Sequence, residues 1–510
     1  MAAEPARRGG PPPVVQIMLL GAMGGIQTAD PTIASTALVD SARSLGMDAG
    51  TQAIAASIST LMLAATVITT GLIADRIGRK LLLVLALLVA AAGDLLTAAA
   101  IDPLMFMSGR AVAGIGLGAV FGASFAYVRS IVPERRLPSA MGTFAAFGAV
   151  VMIIASFVGG SAATADWRLA FLVIPALSLL SMVGVLVLLP PEPKVASGPA
   201  DVAGQALLAL GIIGVLYGIS HAATGIADPL TWAPFVVGLV LLAGFAVVES
   251  RGRHPFFPIA LFSNPGFIAA IGLGLAVNFG QAVSVLQFAN IWQFVYGFTT
   301  VQVALAQLPL SIGSVIASVL LGRLLTRGMA PALAIGISGG AMTLGLLSVA
   351  LTLVTDGFWA FLPGLILVGV GMSGLVPYGA LILRLAPPAQ FGAVTSSRTT
   401  IGQFGFAVGL AASMVMIDAL TRGGVVRRLA EAGVPPTRTG QALDAITQYT
   451  QTGTVPAADA GGTALLAGAA DSYHIAFVTT LAISAVVVAA LTSLAVLAHR
   501  RWERGLAAAA

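Results

Sequence analysis

Three ionisable residues, Asp30, Asp94 and Arg110, stand inside long apolar runs. A charge in such a run is costly to keep and points to function. If the runs are membrane-crossing helices, Asp30 lies 16 residues past the start of the first run, about 24 Å along its axis at ~1.5 Å per residue. Arg110 lies about seven residues into a run of opposite direction, about 10 Å down. Across a hydrocarbon core of about 30 Å the two depths differ by only about 4 Å. An Asp30–Arg110 pair, direct or through water, is therefore allowed. Burial and a neighbouring guanidinium act on a carboxyl's proton affinity in opposite directions, so movement of the pair can load and release a proton. The alternative is a static pair that locks two helices. Asp94 lies about 20 Å along its own run. It is either a second titrating group or a side chain reaching the outer headgroup region.

A second group of charges is short and dense. "GLIADRIGRK" places Asp75, Arg76, Arg79 and Lys80 between two apolar runs, in a chain that is only 9% charged. Gly71 and Gly78 permit a close helix approach and a sharp turn. Asp75 can face a helix N-terminus or an arginine, while Arg79 and Lys80 hold the loop on one side of the membrane. A topological tag would need the bases alone, not the aspartate or the glycine spacing. Candidate contacts for a bound solute are Gln27, Tyr127, Asn278, Gln281, Gln287, Asn290 and Gln293. The last five, with Ser284, wind around one helix, since a step of three residues turns about 300°. They suit a water-filled cavity or hydrogen bonds between helices. Arg398 suits a solute contact or helix packing.

These residues require many apolar helices to position them. The chain has 510 residues, 58% hydrophobic, whereas a soluble domain carries about 25% charged residues. It cannot cover a water-facing surface and reads as a polytopic, all-α membrane protein. Fourteen runs are long enough to span: about 14–38, 52–73, 81–101, 103–127, 139–163, 168–190, 202–224, 232–249, 266–292, 300–322, 331–354, 357–383, 391–418 and 474–498. The N-terminal run has no small-residue cleavage site and reads as a retained helix. With the N-terminus inside, seventeen of the 25 Lys and Arg fall in cytoplasmic segments and six outside, which favours an even span count with both termini cytoplasmic. The net charge of +5 reflects this bias and not nucleic-acid binding. Zero cysteines exclude disulfides and thiolate metal sites. His221, His254, His474 and His499 lack metal-ligand spacing, and no nucleophile–base constellation indicates an enzyme. Neither a metal nor a cofactor is expected.

The chain repeats itself. Gly71 and Arg76 match Gly322 and Arg327, an offset of 251, and Gly114, Gly116, Arg129 and Pro133 match Gly369, Gly371, Arg384 and Pro388, an offset of 255. Such offsets indicate duplicated halves. The boundaries are 1–195 for one six-helix bundle, 196–260 for two inserted helices, and 261–510 for the second bundle with a long outer loop at 419–473. That loop is either a solvated cap or a gate or partner surface. In the second copy of the charged loop Thr326 stands where the aspartate would be, a latch reduced to its arginine. Gly114, Gly118 and Gly122 are spaced for close helix packing, and Gly159 and Gly160 are further packing candidates. "GVGMSG" at Gly369 has the glycine spacing of a dinucleotide site but lies in an apolar span with no strand before it.

The pattern Gly71, Asp75, Arg76, Gly78, Arg79 and Lys80 resembles the loop signature of the major facilitator superfamily. Fourteen spans with two inserted between six-helix halves resemble its drug/proton antiporter branch. "DPTIASTAL" from Asp30, "GRAVAGIGLGA" from Gly109 and "DWRLAFLVIP" from Asp166 resemble further motifs of that branch. The resemblance covers nearly the whole chain. It implies two bundles rocking about a central cavity, a proton- or cation-responsive acid at Asp30, and a loop at Asp75 that stabilises one state. One departure stands out. The branch carries a glycine–proline pair in its fifth helix, where this chain has Ala155 and Ser156 before Gly159 and Gly160, so the proline kink is missing. The expected function is proton-coupled export of lipophilic compounds, cationic ones among them, by a monomer in a bacterial inner membrane. The alternative is export of an endogenous lipid or lipid-like metabolite with weak or no proton coupling.

Overall fold

The computed structural model describes residues 13–47, 49–191, 201–222, 226–252, 257–298, 300–352, 357–387, 391–431 and 460–509. His254, Pro388 and residues 432–459 of the outer loop lie outside the described residues. The chain is all-helical there. The first half holds α1 (Pro13–Leu45), α2 (Ala49–Ile77), α3 (Arg79–Ala98), α4 (Pro103–Ile131), α5 (Leu137–Ala163), α6 (Trp167–Ala170) and α7 (Val173–Leu188). Then come α8 (Val202–Ala222) and α9 (Pro229–Arg251). The second half holds α10 (Pro265–Phe294), α11 (Thr300–Ala306), α12 (Leu308–Thr326), α13 (Pro331–Ala350), α14 (Leu362–Met372), α15 (Leu375–Leu385), α16 (Phe391–Glu431) and α17 (Ala460–Ala509).

The apolar runs of the sequence each become a helix or a broken pair. Turn chemistry sets the breaks. Asp102 and Asn264 cap α4 and α10 with their side chains, each followed by proline at the first helical position. Gly78, at φ +94°, lets α2 turn directly into α3. Thirteen helical segments among the described residues are long and apolar enough to cross a membrane. At 33 residues, α1 is long enough too, about 50 Å. Gln16, Gln27, Thr28 and Asp30 make it more polar, and a count of fourteen is compatible with this set.

Within the first half α1 packs on α5, and α4 packs on α2 and α3. Within the second, α17 packs on α10 and α13, and α14 on α12 and α13. The two halves meet along two seams, α2 against α16 and α5 against α12. The α8–α9 hairpin is laid on α2 and α16. Small residues allow the backbones to touch. A Cβ on Gly114 would overlap the Ser59 carbonyl, and one on Gly142 would lie 2.5 Å from the Ser318 carbonyl. In lipid such van der Waals contact drives helix association. Gly114→Val should therefore cost at least about 1–3 kcal/mol, the usual penalty of overpacking. A thermal-unfolding comparison in one fixed detergent checks this, and an unchanged midpoint would contradict it.

Candidate functional site

The α3–α4 crossing builds the first cluster. A Cβ on Gly93 would overlap Ala113, and one on Gly109 would lie 2.5 Å from Thr97 Oγ1. That approach carries Asp94 of α3 to Arg110 of α4. Arg110 Nη1 donates to Asp94 Oδ1 at 2.8 Å and to Asp30 Oδ1 at 2.6 Å, while Nη2 donates to Asp30 Oδ2 at 2.7 Å. The Asp30 contact is therefore bidentate. Ser59 of α2 donates to Asp30 Oδ2 at 3.1 Å, a partner with no signal in the sequence beyond a hydroxyl in an apolar run. Pro31 lies within α1 and leaves the Gln27 carbonyl without its helical donor beside Asp30. The Arg110 guanidinium also lies over the Phe171 ring, 5.4 Å to its centre.

All three charges are enclosed, with 2% of Asp30, 0% of Asp94 and 1% of Arg110 exposed. Asp94 does not reach a headgroup region, because the glycine crossing holds it inside. Asp94 Oδ2 is buried with no hydrogen-bond partner. Two carboxylates thus face one guanidinium.

The second cluster closes one end of the seams. Asp75, in the last turn of α2, accepts from Arg79 Nη2 at 3.2 Å and from the Gly392 amide at 2.6 Å. Gly392 is in the first turn of α16, so the carboxylate meets both an arginine and the N-terminal end of a helix dipole. Gly71 and Gly392 lie so close that a Cβ on either would overlap the other's carbonyl. Lys80 donates to the Leu186 and Leu189 carbonyls at the end of α7, at 3.0 and 2.6 Å. Arg76 is half-buried.

The repeated loop does the same at the other seam. Thr326 Oγ1 accepts from the Ser139 amide in the first turn of α5 at 3.1 Å, and a Cβ on Gly322 would lie 2.6 Å from the Pro138 carbonyl. The second copy is therefore not reduced to its arginine: a neutral hydroxyl occupies the place of the carboxylate. The other repeated pair is reciprocal as well. Arg129 donates to the Leu383 carbonyl at the end of α15, and Arg384 meets Glu134 at 3.3 Å. Glu134, directly after the first helix of that pair, was not singled out from the sequence.

The candidate solute contacts divide. Tyr127 is fully buried and donates to the Pro190 carbonyl, so it ties α4 to the end of α7. Gln287 donates to Ser413 Oγ at 2.9 Å and accepts from Asn290 at 3.3 Å, which are contacts between and within helices. Asn278 donates to the Gly274 carbonyl of its own helix and lies beside Gly402 of α16. Gln27 is buried on α1; Gln281 and Gln293 are half-buried. Gly118 and Gly122 face Leu63 and Ser396, and Gly159 faces Ile33. A Cβ on Gly160 would meet nothing within 4 Å, since adjacent helical residues point about 100° apart, so no close helix approach there requires a glycine. α5 runs unbroken through Ala155 and Ser156.

Arg398, only 7% exposed, sits among aromatic rings from both halves. Its guanidinium lies 4.6 Å from the Phe125 ring centre, 5.4 Å from Phe121 and 5.3 Å from Tyr378.

A family model described as Major Facilitator Superfamily matches residues 18–410. The chain is 26% identical over 430 residues to the puromycin resistance protein pur8 of Streptomyces alboniger, covering 80% of this chain and 82% of that one. It is 28% identical over 381 residues to the multidrug resistance protein B homolog of Mycobacterium tuberculosis strain H37Rv, covering 72% and 70%. Among solved structures, the proton:xylose symporter XylE superposes with a TM-score of 0.57 at 12% identity, covering 80% of this chain and 89% of that one. That likeness speaks for the fold alone.

Proposed function

Because the chain belongs to the Major Facilitator Superfamily, a family of membrane transporters and not of enzymes, we propose that it is a secondary active exporter of lipophilic compounds, working by alternating access with proton antiport. The resistance and multidrug names of its relatives support export of lipophilic cargo. The observation that carries proton coupling is the buried cluster of two carboxylates on one guanidinium. One proton, on the unpartnered Asp94 Oδ2, balances its charge. A proton on Asp30 instead would cancel its charge and cost one of its two hydrogen bonds from Arg110, loosening α1 from α4. Proton and cargo each shift the transporter only through their different affinities for its two states.

On this reading both termini are cytoplasmic, the chain works as a monomer, and the end closed by Asp75 and Thr326 is the cytoplasmic gate. The described conformation is then closed to the cytoplasm. The halves are residues 1–195 and 261–510, with 196–260 as the inserted pair, and Gln27, Asn278, Gln281 and Gln293 remain proposed cargo contacts. The acid on α1 is occupied by Arg110, so in this state it offers little to a cationic cargo.

The test uses purified protein in liposomes carrying a pH-sensitive dye, with acidic, neutral and cationic lipophilic compounds as cargo. Cargo should drive proton movement in the wild type. Asp30→Asn should slow it at least about tenfold, the effect of ~1.4 kcal/mol on a barrier, while equilibrium cargo binding persists. Cargo-driven proton flux that survives Asp30→Asn would sink the mechanism.

A further inference from the structure

Arg398 differs from the other buried arginines. Arg110 meets two carboxylates and Arg79 meets one. Arg398 forms no ion pair and donates no hydrogen bond among the described residues, and its Nε is enclosed with no acceptor. A buried, uncompensated charge is expensive, and ring faces recover part of that cost. Ring faces supply no lone-pair acceptor, so the N–H fork stays unmet among the described residues. That fork matches a carboxylate held by two parallel hydrogen bonds, a geometry lysine does not offer.

The surroundings fit an acid with an apolar body. Phe144 packs edge-on against both Phe121 and Phe125, with centres 6.3 and 6.2 Å apart, and Asn278 lies one helical turn away beside Gly402. Phe121 and Phe125 belong to the first half, Tyr378 and Arg398 to the second. Rocking the halves separates Phe121 and Phe125 from the guanidinium while Tyr378 stays with it, so an anion bound there meets different contacts in the two states, as a driving ligand must.

We infer that Arg398 anchors the carboxylate of a lipophilic organic acid, whose apolar body lies against Phe121, Phe125 and Tyr378. The inference rests on the proposed export reading and narrows its cargo from lipophilic compounds in general to acids.

The experiment measures equilibrium binding, with no gradient, of radiolabelled 1-naphthaleneacetate and of its neutral amide. The full chain is held in phosphatidylcholine nanodiscs, so that the bilayer supplies no net anion. The acid should bind at least about tenfold tighter than the amide. Arg398→Gln should bring that ratio to within about twofold by weakening the acid alone, and Arg398→Lys should keep part of it. Phe125→Ala should weaken acid and amide alike and leave the ratio. An acid that binds no tighter than its amide, or a ratio unchanged in Arg398→Gln, overturns the inference. Should Arg398→Gln not fold, the wild-type ratio and the Phe125→Ala result still decide it. Loss of proton-coupled transport with the acid preference intact would sink the coupling reading and leave this one standing; the reverse pattern would sink only this one.

Discussion

Arg110→Met is expected to lose about 3–5 kcal/mol of stability, the cost of removing one partner from a buried ionic cluster. The reason is charge, not volume. Methionine fills a similar space beside Phe171, but Asp30 and Asp94 would then face each other with no cation in an enclosed site. Neutralising the acids should restore what the arginine's loss removes, because a well-packed apolar or neutral cluster can match a buried ion pair. The combined variant Arg110→Met, Asp30→Asn and Asp94→Asn should melt close to the wild type, yet show no proton coupling. Melting midpoints of the three proteins in one detergent check this. Equal midpoints for Arg110→Met and the combined variant would show that the cluster is held by packing and not by charge.

Asp75→Ala should open the closed end. The carboxylate makes two charge-assisted contacts, one to Arg79 and one to the first turn of α16, and hydrogen bonds to charged groups are each worth about 1.5–3 kcal/mol. Loss of the inter-half contact alone should shift the closed-to-open ratio by about tenfold to a hundredfold. Thr326→Ala breaks a neutral bond at the other seam, worth about 0.5–1.5 kcal/mol, and should shift it by about tenfold at most. The chain contains no cysteine, so a single cysteine introduced between the halves, near Ser396, reports opening through its alkylation rate without background. Unchanged alkylation in Asp75→Ala, or a larger change in Thr326→Ala, would refute the latch.

Sequence alone went far on the spans, because lipid demands about 20 apolar residues per crossing whatever the tertiary detail. It paired Asp30 with Arg110 because helix rise converts position into depth. It offered Asp75 two partners, an arginine and a helix N-terminus, and both are there. Partners that depend on which helices cross were out of reach. Asp94 looked able to reach the headgroups because nothing linear records that Gly93 and Gly109 bring α3 against α4. Thr326 was discounted because a hydroxyl carries no charge, although one oxygen acceptor suffices to cap an amide. Tyr127 looked like a cavity residue until the Pro190 carbonyl met it. Two of the rings around Arg398, Phe121 and Phe125, are one turn apart on α4, but Tyr378 comes from α15, and nothing linear brings it to them.

The inserted hairpin α8–α9 covers the α2–α16 seam, while at α5–α12 the helix that touches both is α15, which belongs to the second half itself. A lipophilic solute partitions into the bilayer and is far more concentrated there than in water. On the proposed export reading it meets this protein from the side, and of two lateral windows between the halves, one is shuttered. On that reading, traffic from the membrane is thereby steered to a single flank, along α5 and α12. A duplicated, nearly symmetric machine thus acquires a front and a back.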